Sequence, residues 1–258
     1  MGQVSIGIDC GSAACKGILL WDGAVKAVAV KPTGWNPRET AKAILDELIV
    51  KAGAEGEEPL ITATGYGRVG IEFAQRAVTE ITCHALGADY ILPGVRTVVD
   101  IGGQDSKVIS VRNGKVQSFQ MNDKCAAGTG RFLEMSAHRM GVDMSGFAAL
   151  LKEGKSCAIS SMCAVFADSE IVSLLAGGKS REEVAGGIVN SVAARTAALA
   201  GRIEMESPVL LTGGLAELEG LKRALEVQFQ MPVITSELSR FAGAIGAARK
   251  GLERKING

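Results

Sequence analysis

The sequence predicts an α/β protein built from two similar domains that face each other across a cleft. An internal repeat supports this, because VSIGIDCGSAACKGILLWDGAVKAVAV at residues 4–30 is echoed by RTVVDIGGQDSKVISVRNGKVQSFQM at residues 96–121. Each copy has a strand-like run closing on Asp, a glycine turn, a second run, a hairpin turn and a third run. Strand-like runs then alternate with helical patterns, which is typical of the α/β class. A repeat spacing of about 90 residues is too long for a solenoid and indicates two domains.

The first predicted domain begins with three successive antiparallel strands joined by tight turns. Apolar residues at helical spacing follow, with Pro37 well placed near the start of that helix. The predicted strands are Val4–Cys10, Lys16–Trp21, Ala24–Lys31 and Leu60–Thr64, and the predicted helices cover residues 37–51 and 72–90, the second allowing a break near Thr79.

The pattern restarts after Pro93-Gly94, which sets the predicted boundary between domains 1–94 and 95–258. The sequence leaves open whether the last helix returns to the first domain. The predicted strands here are Thr97–Ile101, Lys107–Arg112, Lys115–Met121, Val209–Thr212 and Pro232–Thr235, and the predicted helices are Gly130–Met140, Phe147–Lys152, Val165–Ala176, Arg181–Ile203, Leu218–Phe229 and Phe241–Arg249.

Composition and charge exclude several classes of function. Lys and Arg total 28, as do Asp and Glu, so the net charge is zero and no basic run favours nucleic-acid binding. No apolar run reaches the roughly 18 residues of a membrane span, and the start lacks the charged head of a secretion signal. We therefore expect a cytoplasmic protein without nucleic-acid or membrane partners.

Glycine-rich turns follow the ends of several predicted strands. The chain has 33 Gly among 258 residues, well above the usual share of about 7%. The turns at residues 9–12 and 100–105 occupy equivalent places in the two repeats, and a third lies at residues 211–215 between a strand and a helix. Small residues let backbone N–H groups reach an anion directly. Each turn alone is compatible with an ordinary hairpin or loop, but the two equivalent turns would face each other across the cleft.

Together these turns predict a site for a nucleotide and Mg²⁺. Asp9 and Asp100 are expected to hold Mg²⁺ through water, and Gln104 or Asp105 to orient a water at the terminal phosphate. Lys16 would supply a compensating positive charge. The predicted nucleotide-binding residues are Gly11, Ser12, Ala13, Ala14, Lys16, Gly102, Gly103, Gln104, Asp105, Gly213 and Gly214.

The two hairpin turns and the late Thr212-Gly213-Gly214 turn resemble those of the actin, sugar-kinase and chaperone-ATPase superfamily. The resemblance implies duplicated ribonuclease H-like (actin-like ATPase) domains. It also implies ATP or ADP with Mg²⁺ in a cleft that opens and closes.

Two cysteine segments narrow the resemblance. KCAAGTGRFLE at residues 124–134 and CAVFADSE at residues 163–170 place one cysteine each just ahead of a predicted helix, where free N–H groups stabilise a thiolate. The segments closely resemble those of the ATP-dependent activators of 2-hydroxyacyl-CoA dehydratases and of the related ATPase subunits of benzoyl-CoA reductases. This resemblance covers nearly the whole chain. The family usually has Glu where Asp168 stands here.

Carried over by position, the resemblance implies that Cys125 and Cys163 are iron–sulfur ligands. A [4Fe–4S] cluster takes four thiolates, so two per chain predict one cluster shared by a homodimer. The alternative is that Cys157 joins them within one subunit. The other cysteines, at positions 10, 15, 83 and 157, are interpreted as small buried hydrophobic side chains, and His84 and His138 as surface or core helix residues rather than ligands.

The resemblance implies an ATP-hydrolysing electron donor sensitive to oxygen. A reduced ferredoxin or flavodoxin would load the cluster, and the electron would pass to a downstream iron–sulfur dehydratase or reductase. One alternative is a small-molecule kinase of the same fold, which needs a general base aimed at a substrate hydroxyl. Another is a nucleotide switch or chaperone-like module, although its peptide-binding segment is missing.

Overall fold

The computed structural model describes residues 2–151, 154–160 and 163–253. Strands and helices within these ranges follow one another in the order that the repeat predicts. The strands are β1 Val4–Cys10, β2 Ala14–Trp21, β3 Ala24–Pro32, β4 Leu60–Thr64, β5 Arg76–Ala77, β6 Thr97–Ile101, β7 Ser106–Arg112, β8 Lys115–Asn122, β9 Val209–Thr212 and β10 Val233–Ile234. The helices are α1 Pro37–Ala52, α2 Glu80–Ile91, α3 Gly130–Arg139, α4 Met144–Leu150, α5 Ala164–Ala176, α6 Arg181–Ala200, α7 Glu219–Phe229 and α8 Ala242–Leu252.

The strands form two five-stranded mixed sheets with the same topology. Their orders are β3-β2-β1-β4-β5 and β8-β7-β6-β9-β10. In each sheet the central strand is antiparallel to its hairpin partner and parallel to its other neighbour. The second hairpin of each sheet turns at Asp22-Gly23 or Asn113-Gly114, where every φ is positive, as a type I′ turn requires. The predicted α/β class with a duplicated domain is therefore confirmed.

One predicted helix is wrong over much of its length. Residues 72–90 were expected to be helical, but the helix begins only at Glu80, and the preceding segment contains the short strand β5. The backbone N–H of Gln75 donates to the carbonyl of Ile61 at 3.0 Å, and that of Val78 donates to the carbonyl of Ala63 at 2.9 Å. These bonds give hydrogen-bond partners to backbone groups of β4 that would otherwise be unpaired at the sheet edge. This tertiary pairing outweighs the helical spacing of the apolar residues.

The other predicted elements are present, with ends displaced by a few residues. The predicted helix end at Lys152 lies outside the described residues. Helix α1 shows why the sequence signals worked: the Asn36 side chain accepts from the backbone N–H of Glu39 at 3.3 Å, Pro37 opens the first turn, and Gly53 ends the helix with a φ of 61°. No helix in the described ranges combines the length and apolarity that crossing a bilayer requires.

Helices α2 and α8 pack against each other between the two sheets. Helix α8 lies on β1, β2 and β4 of the first sheet, whereas α2 lies against β6, β7 and β8 of the second. Glycines bring the two helix backbones together, since a Cβ on Gly87 would lie 1.8 Å from the carbonyl oxygen of Ala242, and one on Gly246 would lie 1.8 Å from that of Cys83. The last helix thus packs on the first sheet. The domain boundary at residue 94 stays a prediction.

Candidate functional site

A cleft of about 570 Å³ lies between the loop that follows β1 and the loop that follows β6. This volume is in the usual range for a small-molecule site. All residues predicted for the nucleotide and its Mg²⁺ line this cleft, and they are Asp9, Gly11, Ser12, Ala13, Ala14, Lys16, Asp100, Gly102, Gly103, Gln104, Asp105, Gly213 and Gly214. The structure brings these residues together, and their individual roles remain predictions.

Backbone hydrogen bonds close each of the two facing loops. In the first, the N–H of Gly11 donates to the carbonyl of Ala14 at 3.2 Å. In the second, the N–H of Gly102 donates to the carbonyl of Asp105 at 2.9 Å. The loops approach each other so closely that a Cβ on Gly103 would lie 2.6 Å from the Cβ of Ala13. Glycine at this position therefore allows the two loops to approach each other closely across the cleft.

The Asp9 carboxylate has one oxygen paired and one open. Its Oδ2 lies 3.6 Å from the Lys16 Nζ, whereas its buried Oδ1 has no hydrogen-bond partner in the described part of the chain. A Cβ on Gly65 would lie 2.5 Å from that Oδ1, so glycine there leaves room for the carboxylate. An unpaired buried carboxylate oxygen requires a cation or water. This donor fits Mg²⁺, which prefers oxygen ligands.

Asp100 is held more firmly than Asp9. The Thr212 hydroxyl donates to its Oδ1 at 2.8 Å, and the Lys107 Nζ lies 3.2 Å from its Oδ2. The Nδ1 of His84 is 3.3 Å from Oδ1. Burial opposes ionisation of Asp100, yet the neighbouring His84 and the Lys107 ammonium hold the pKa of Asp100 below the ordinary value. Asp100 is therefore an oriented carboxylate at the end of β6.

Lys107 is a fully buried cation that the sequence analysis did not select for the site. Its Nζ lies 2.7 Å from Glu80, 2.8 Å from Asp105 and 3.2 Å from Asp100. Burial alone would lower its pKa, but the charges of Asp100, Glu80 and Asp105 raise the pKa of Lys107 above the ordinary lysine value. One ammonium group therefore neutralises carboxylates from α2, from β6 and from the loop that follows β6.

A repeat signal could have identified Lys107. Asp9 pairs with Lys16 across the first hairpin, and Asp100 pairs with Lys107 across the second. The same Asp-to-Lys spacing thus occurs in both repeats. Their environments differ, because Lys16 lines the cleft and Lys107 is sealed beneath the carboxylates.

His84 lies at the site, although the sequence suggested only a structural role. It is a buried residue of α2 that lines the cleft. Ligand atoms of Glu80, His84 and Asp100 come within 4.8 Å of one another, a spacing that a metal ion could bridge. The Lys107 ammonium already supplies positive charge beside these carboxylates. His138 is exposed on α3, as expected of a surface helix residue.

Several other side chains of the cleft were missed because they come from separate loops and helices without a shared motif. Arg240 is the most notable, since its Nη1 lies 3.4 Å from Glu217 while its buried Nε has no hydrogen-bond partner among the described residues. The remaining missed residues that line the cleft include Tyr66 and Met144, whereas Leu215 belongs to the glycine turn at residues 211–215 that the sequence already indicated.

Cys125 and Cys163 are exposed, and each occupies the N-cap of a helical element. Cys125 precedes a single 3₁₀ turn, and Asn122 braces it by accepting from its N–H at 3.1 Å and donating to its carbonyl at 2.8 Å. Cys163 precedes α5. Exposed thiols at helix N-termini fit the thiolate ligands of an iron–sulfur cluster. Ser161 and Met162, which precede Cys163 in the sequence, lie outside the described residues.

The other cysteines have different surroundings. Cys10, Cys15 and Cys83 are buried, as predicted. Cys157 is half-buried, and its N–H donates to the carbonyl of Glu183 at 2.9 Å. Burial raises the pKa of Cys157, so a smaller fraction of its thiol is present as the thiolate that ligates iron.

The sequence profile of the BadF/BadG/BcrA/BcrD ATPase family matches residues 6–250. The chain belongs to this family. Membership in the BadF/BadG/BcrA/BcrD ATPase family confirms the predicted resemblance and supports an ATPase role with ATP or ADP binding.

Known members resemble this BadF/BadG/BcrA/BcrD ATPase over almost its whole length. The (R)-2-hydroxyglutaryl-CoA dehydratase activating ATPase of Acidaminococcus fermentans is 44% identical over 252 residues, with 96% of each chain covered. The crystal structure of the Acidaminococcus fermentans (R)-2-hydroxyglutaryl-CoA dehydratase component A matches with a TM-score of 0.95 and 42% identity, covering 99% of this chain and 100% of that one. The activator of the 2-hydroxyisocaproyl-CoA dehydratase from Clostridium difficile, solved with bound ADPNP, matches with a TM-score of 0.92 and 36% identity, covering 99% and 98%.

A more distant likeness confirms the predicted actin-like ATPase and sugar-kinase fold. A ROK family glucokinase from Streptomyces griseus matches with a TM-score of 0.60 at 16% identity, covering 97% of this chain and 99% of that one. At this identity the likeness concerns the fold alone, so it gives no support to kinase activity.

Proposed function

We propose that this ATPase is an ATP-driven electron donor that activates a 2-hydroxyacyl-CoA dehydratase or a related iron–sulfur reductase. The observation that carries the proposal is the pair of exposed thiols, Cys125 and Cys163, at helix N-termini in an ATPase of this family. ATP hydrolysis alone does not require exposed cysteines. A cluster shared between two chains does, because each chain must present its thiolates at the surface.

Within the cleft, the residues of the two hairpin loops bind and orient the nucleotide. Asp9 and Asp100 would hold Mg²⁺, which neutralises phosphate charge when bound. Lys16 faces the cleft and would meet the phosphates. Gln104 and Asp105 would orient the attacking water, with Lys107 holding the Asp105 carboxylate in place.

At the cysteine end, Cys125 and Cys163 from each of two chains would provide four thiolates. A [4Fe–4S] cluster, when bound, supplies one-electron transfer. The N–H groups at the start of α5 and of the turn after Cys125 would donate to sulfur and stabilise negative charge there. ATP that binds the closed cleft better than the open one shifts the equilibrium toward closure. A tenfold bias in a one-electron transfer corresponds to about 59 mV, so modest reorganisation suffices.

The partners follow from this chemistry. A ferredoxin or flavodoxin would deliver the electron, and an iron–sulfur dehydratase or reductase would accept it. The relatives named as dehydratase activators support a dehydratase as the acceptor.

Anaerobic purification tests the proposal directly. The expected product is a brown homodimer with about four irons per dimer. Cys125→Ser should abolish the colour while ATP still binds, because Cys125 itself does not line the cleft. Cys157→Ser is the matched control and should retain the cluster. A colourless but active ATPase after anaerobic reconstitution would overturn the proposal, and loss of the cluster in Cys157→Ser would favour the arrangement within one subunit.

A further inference from the structure

Two backbone hydrogen bonds join the loop that follows β6 to the start of α3. This loop, residues 102–105, is called the nucleotide loop below. The N–H of Gly130 donates to the carbonyl of Gly102 at 2.8 Å, and the N–H of Arg131 donates to the carbonyl of Gly103 at 2.8 Å. The first N–H groups of a helix have no partner within the helix, and here the nucleotide loop satisfies them. Gly102, Gly103 and Gly130 all line the cleft. The helix start is therefore part of the wall that a bound nucleotide would contact.

The chain between Cys125 and Gly130 is a tight turn with little slack. Residues 126–128 form a 3₁₀ turn, and Ala127 and Gly128 are buried. The N–H of Thr129 donates to the carbonyl of Ala126 at 3.0 Å, and its hydroxyl donates to the same carbonyl at 2.7 Å. A displacement of the start of α3 must consequently move Cys125, because the connecting segment is hydrogen-bonded and packed.

The far end of α3 is tied to the helix that begins after Cys163. The guanidinium of Arg139 on α3 binds the Asp168 carboxylate on α5 through two nitrogens, with Nε donating to Oδ1 at 2.7 Å. Paired bonds of this kind fix orientation as well as distance. Helix α3 is therefore connected to both cysteine segments. Its first residues also bind the nucleotide loop through two hydrogen bonds.

We propose that Gly130 is a positioning residue that couples the nucleotide loop to Cys125, and that the Arg139–Asp168 pair extends this coupling to Cys163. When the loop at residues 102–105 shifts on binding nucleotide, α3 follows its two hydrogen bonds and carries both cysteines with it. The inference rests on the proposed function, because it supplies the link between the ATPase cleft and the two thiols.

The loop that follows β6 packs closely against Gly130. A Cβ there would lie 3.1 Å from the carbonyl oxygen of Gly102 and 3.5 Å from the Cα of Gly103. Gly130→Ala therefore pushes the loop and helix apart and weakens the two hydrogen bonds. Gly128→Ala is the matched control two residues away, since its Cβ would meet the nearest atoms, of Arg195 and Asn122, at an ordinary 3.6 Å.

The test measures thiol reactivity and does not depend on the cluster. Cys125 and Cys163 of the full-length, cluster-free chain are alkylated with N-ethylmaleimide, with and without saturating ADPNP and Mg²⁺, and the rates are resolved by peptide mass spectrometry. The wild-type protein and Gly128→Ala should show a several-fold change of both rates on adding ADPNP. Each variant is saturated with ADPNP, as judged by a separate titration, and Gly130→Ala should then lose the change at both cysteines. A Gly130→Ala protein that keeps the several-fold change overturns the inference.

A second variant tests the extension to Cys163 without disturbing the cleft. Asp168→Asn weakens an exposed ion pair, so the protein should fold, respond at Cys125 and fail to respond at Cys163. Asp46→Asn, which removes the exposed Lys42–Asp46 pair on α1, is its control and should leave both responses intact. A full response of Cys163 in Asp168→Asn overturns the extension.

The outcomes separate this inference from the proposed function. A wild-type protein that assembles its cluster but whose thiols ignore ADPNP overturns the coupling and leaves electron donation standing. A protein that assembles no cluster overturns electron donation, yet the alkylation rates still report whether α3 follows the nucleotide loop.

Discussion

At the level of single residues, the two lysines of the repeat provide a sharp contrast. Lys107→Met removes a buried cation whose Nζ lies within 3.2 Å of three buried or half-buried carboxylates. We expect it to lower the free energy of unfolding by about 3–5 kcal/mol, the usual cost of leaving a buried charge unpaired. Lys16→Met should instead weaken nucleotide binding with a smaller loss of stability, because Lys16 reaches the cleft. Urea unfolding and ADPNP titration of both variants measure the difference. If Lys107→Met unfolds at the same urea concentration as the wild type, Lys107 does not stabilise the fold by neutralising these carboxylates.

The cysteines divide into reactive and protected thiols. The thiolate is the reactive form, so a raised pKa and burial both slow alkylation. Burial raises the pKa of Cys83 to about 12. The pKa of Cys15 is raised as well, because it donates a hydrogen bond to Cys10 and is buried. The exposed Cys125 and Cys163 should react within minutes in cluster-free protein, whereas the three buried cysteines react only after unfolding. Peptide mass spectrometry after timed alkylation checks this, and early labelling of Cys83 in folded protein would contradict it.

How far the sequence predicted the site depended on whether a residue belonged to a repeated pattern. Asp9 and Asp100 were found because each closes a strand before a glycine turn. Lys107 was not, because a lysine in a predicted strand usually faces solvent, and the carboxylates that surround it come partly from α2. Glu80 and His84 reach the cleft only once α2 packs on the second sheet, and no local spacing encodes that.

At the level of secondary-structure elements, the facing hairpin loops set the width of the cleft. Gly103→Ala places a Cβ 2.6 Å from that of Ala13, so the loops must separate. We expect weaker ADPNP binding, because the separated loops can no longer contact the phosphates at the same time. Removing the Ala13 methyl group relieves the clash, so the double variant Gly103→Ala with Ala13→Gly should regain affinity beyond the sum of the single effects. Simple additivity of the two changes in binding free energy would show that the loops act independently.

Element prediction failed where tertiary pairing outweighed local pattern. Strand β5 has only two residues, Arg76 and Ala77, which are too few to show the alternating pattern that predicts a strand. It forms because β4 would otherwise leave its backbone groups open at the sheet edge. Hairpins with Asp22-Gly23 or Asn113-Gly114 turns were predictable, since these residues accept positive φ and fix the strand register locally.

For the molecule as a whole, the contact between α2 and α8 connects the two sheets, and glycine makes it possible. Any relative movement of the sheets that opens the cleft must take place about this contact, because α8 lies on the first sheet and α2 on the second. Gly246→Ala places a Cβ 1.8 Å from the carbonyl oxygen of Cys83, against backbone that cannot yield as a side chain would. We expect a loss of about 1–3 kcal/mol in unfolding free energy, the usual cost of overpacking, together with weaker ADPNP binding.

The control is Gly201→Ala, at the end of α6, where the nearest atom would lie 3.6 Å from the new Cβ. Urea unfolding followed by circular dichroism should show this variant close to wild type. If Gly246→Ala lowers stability but leaves ADPNP affinity unchanged, the α2–α8 contact supports the fold without setting the cleft. If Gly246→Ala lowers both stability and ADPNP affinity, the α2–α8 contact controls the packing of both sheets and also the spacing of the loops between them.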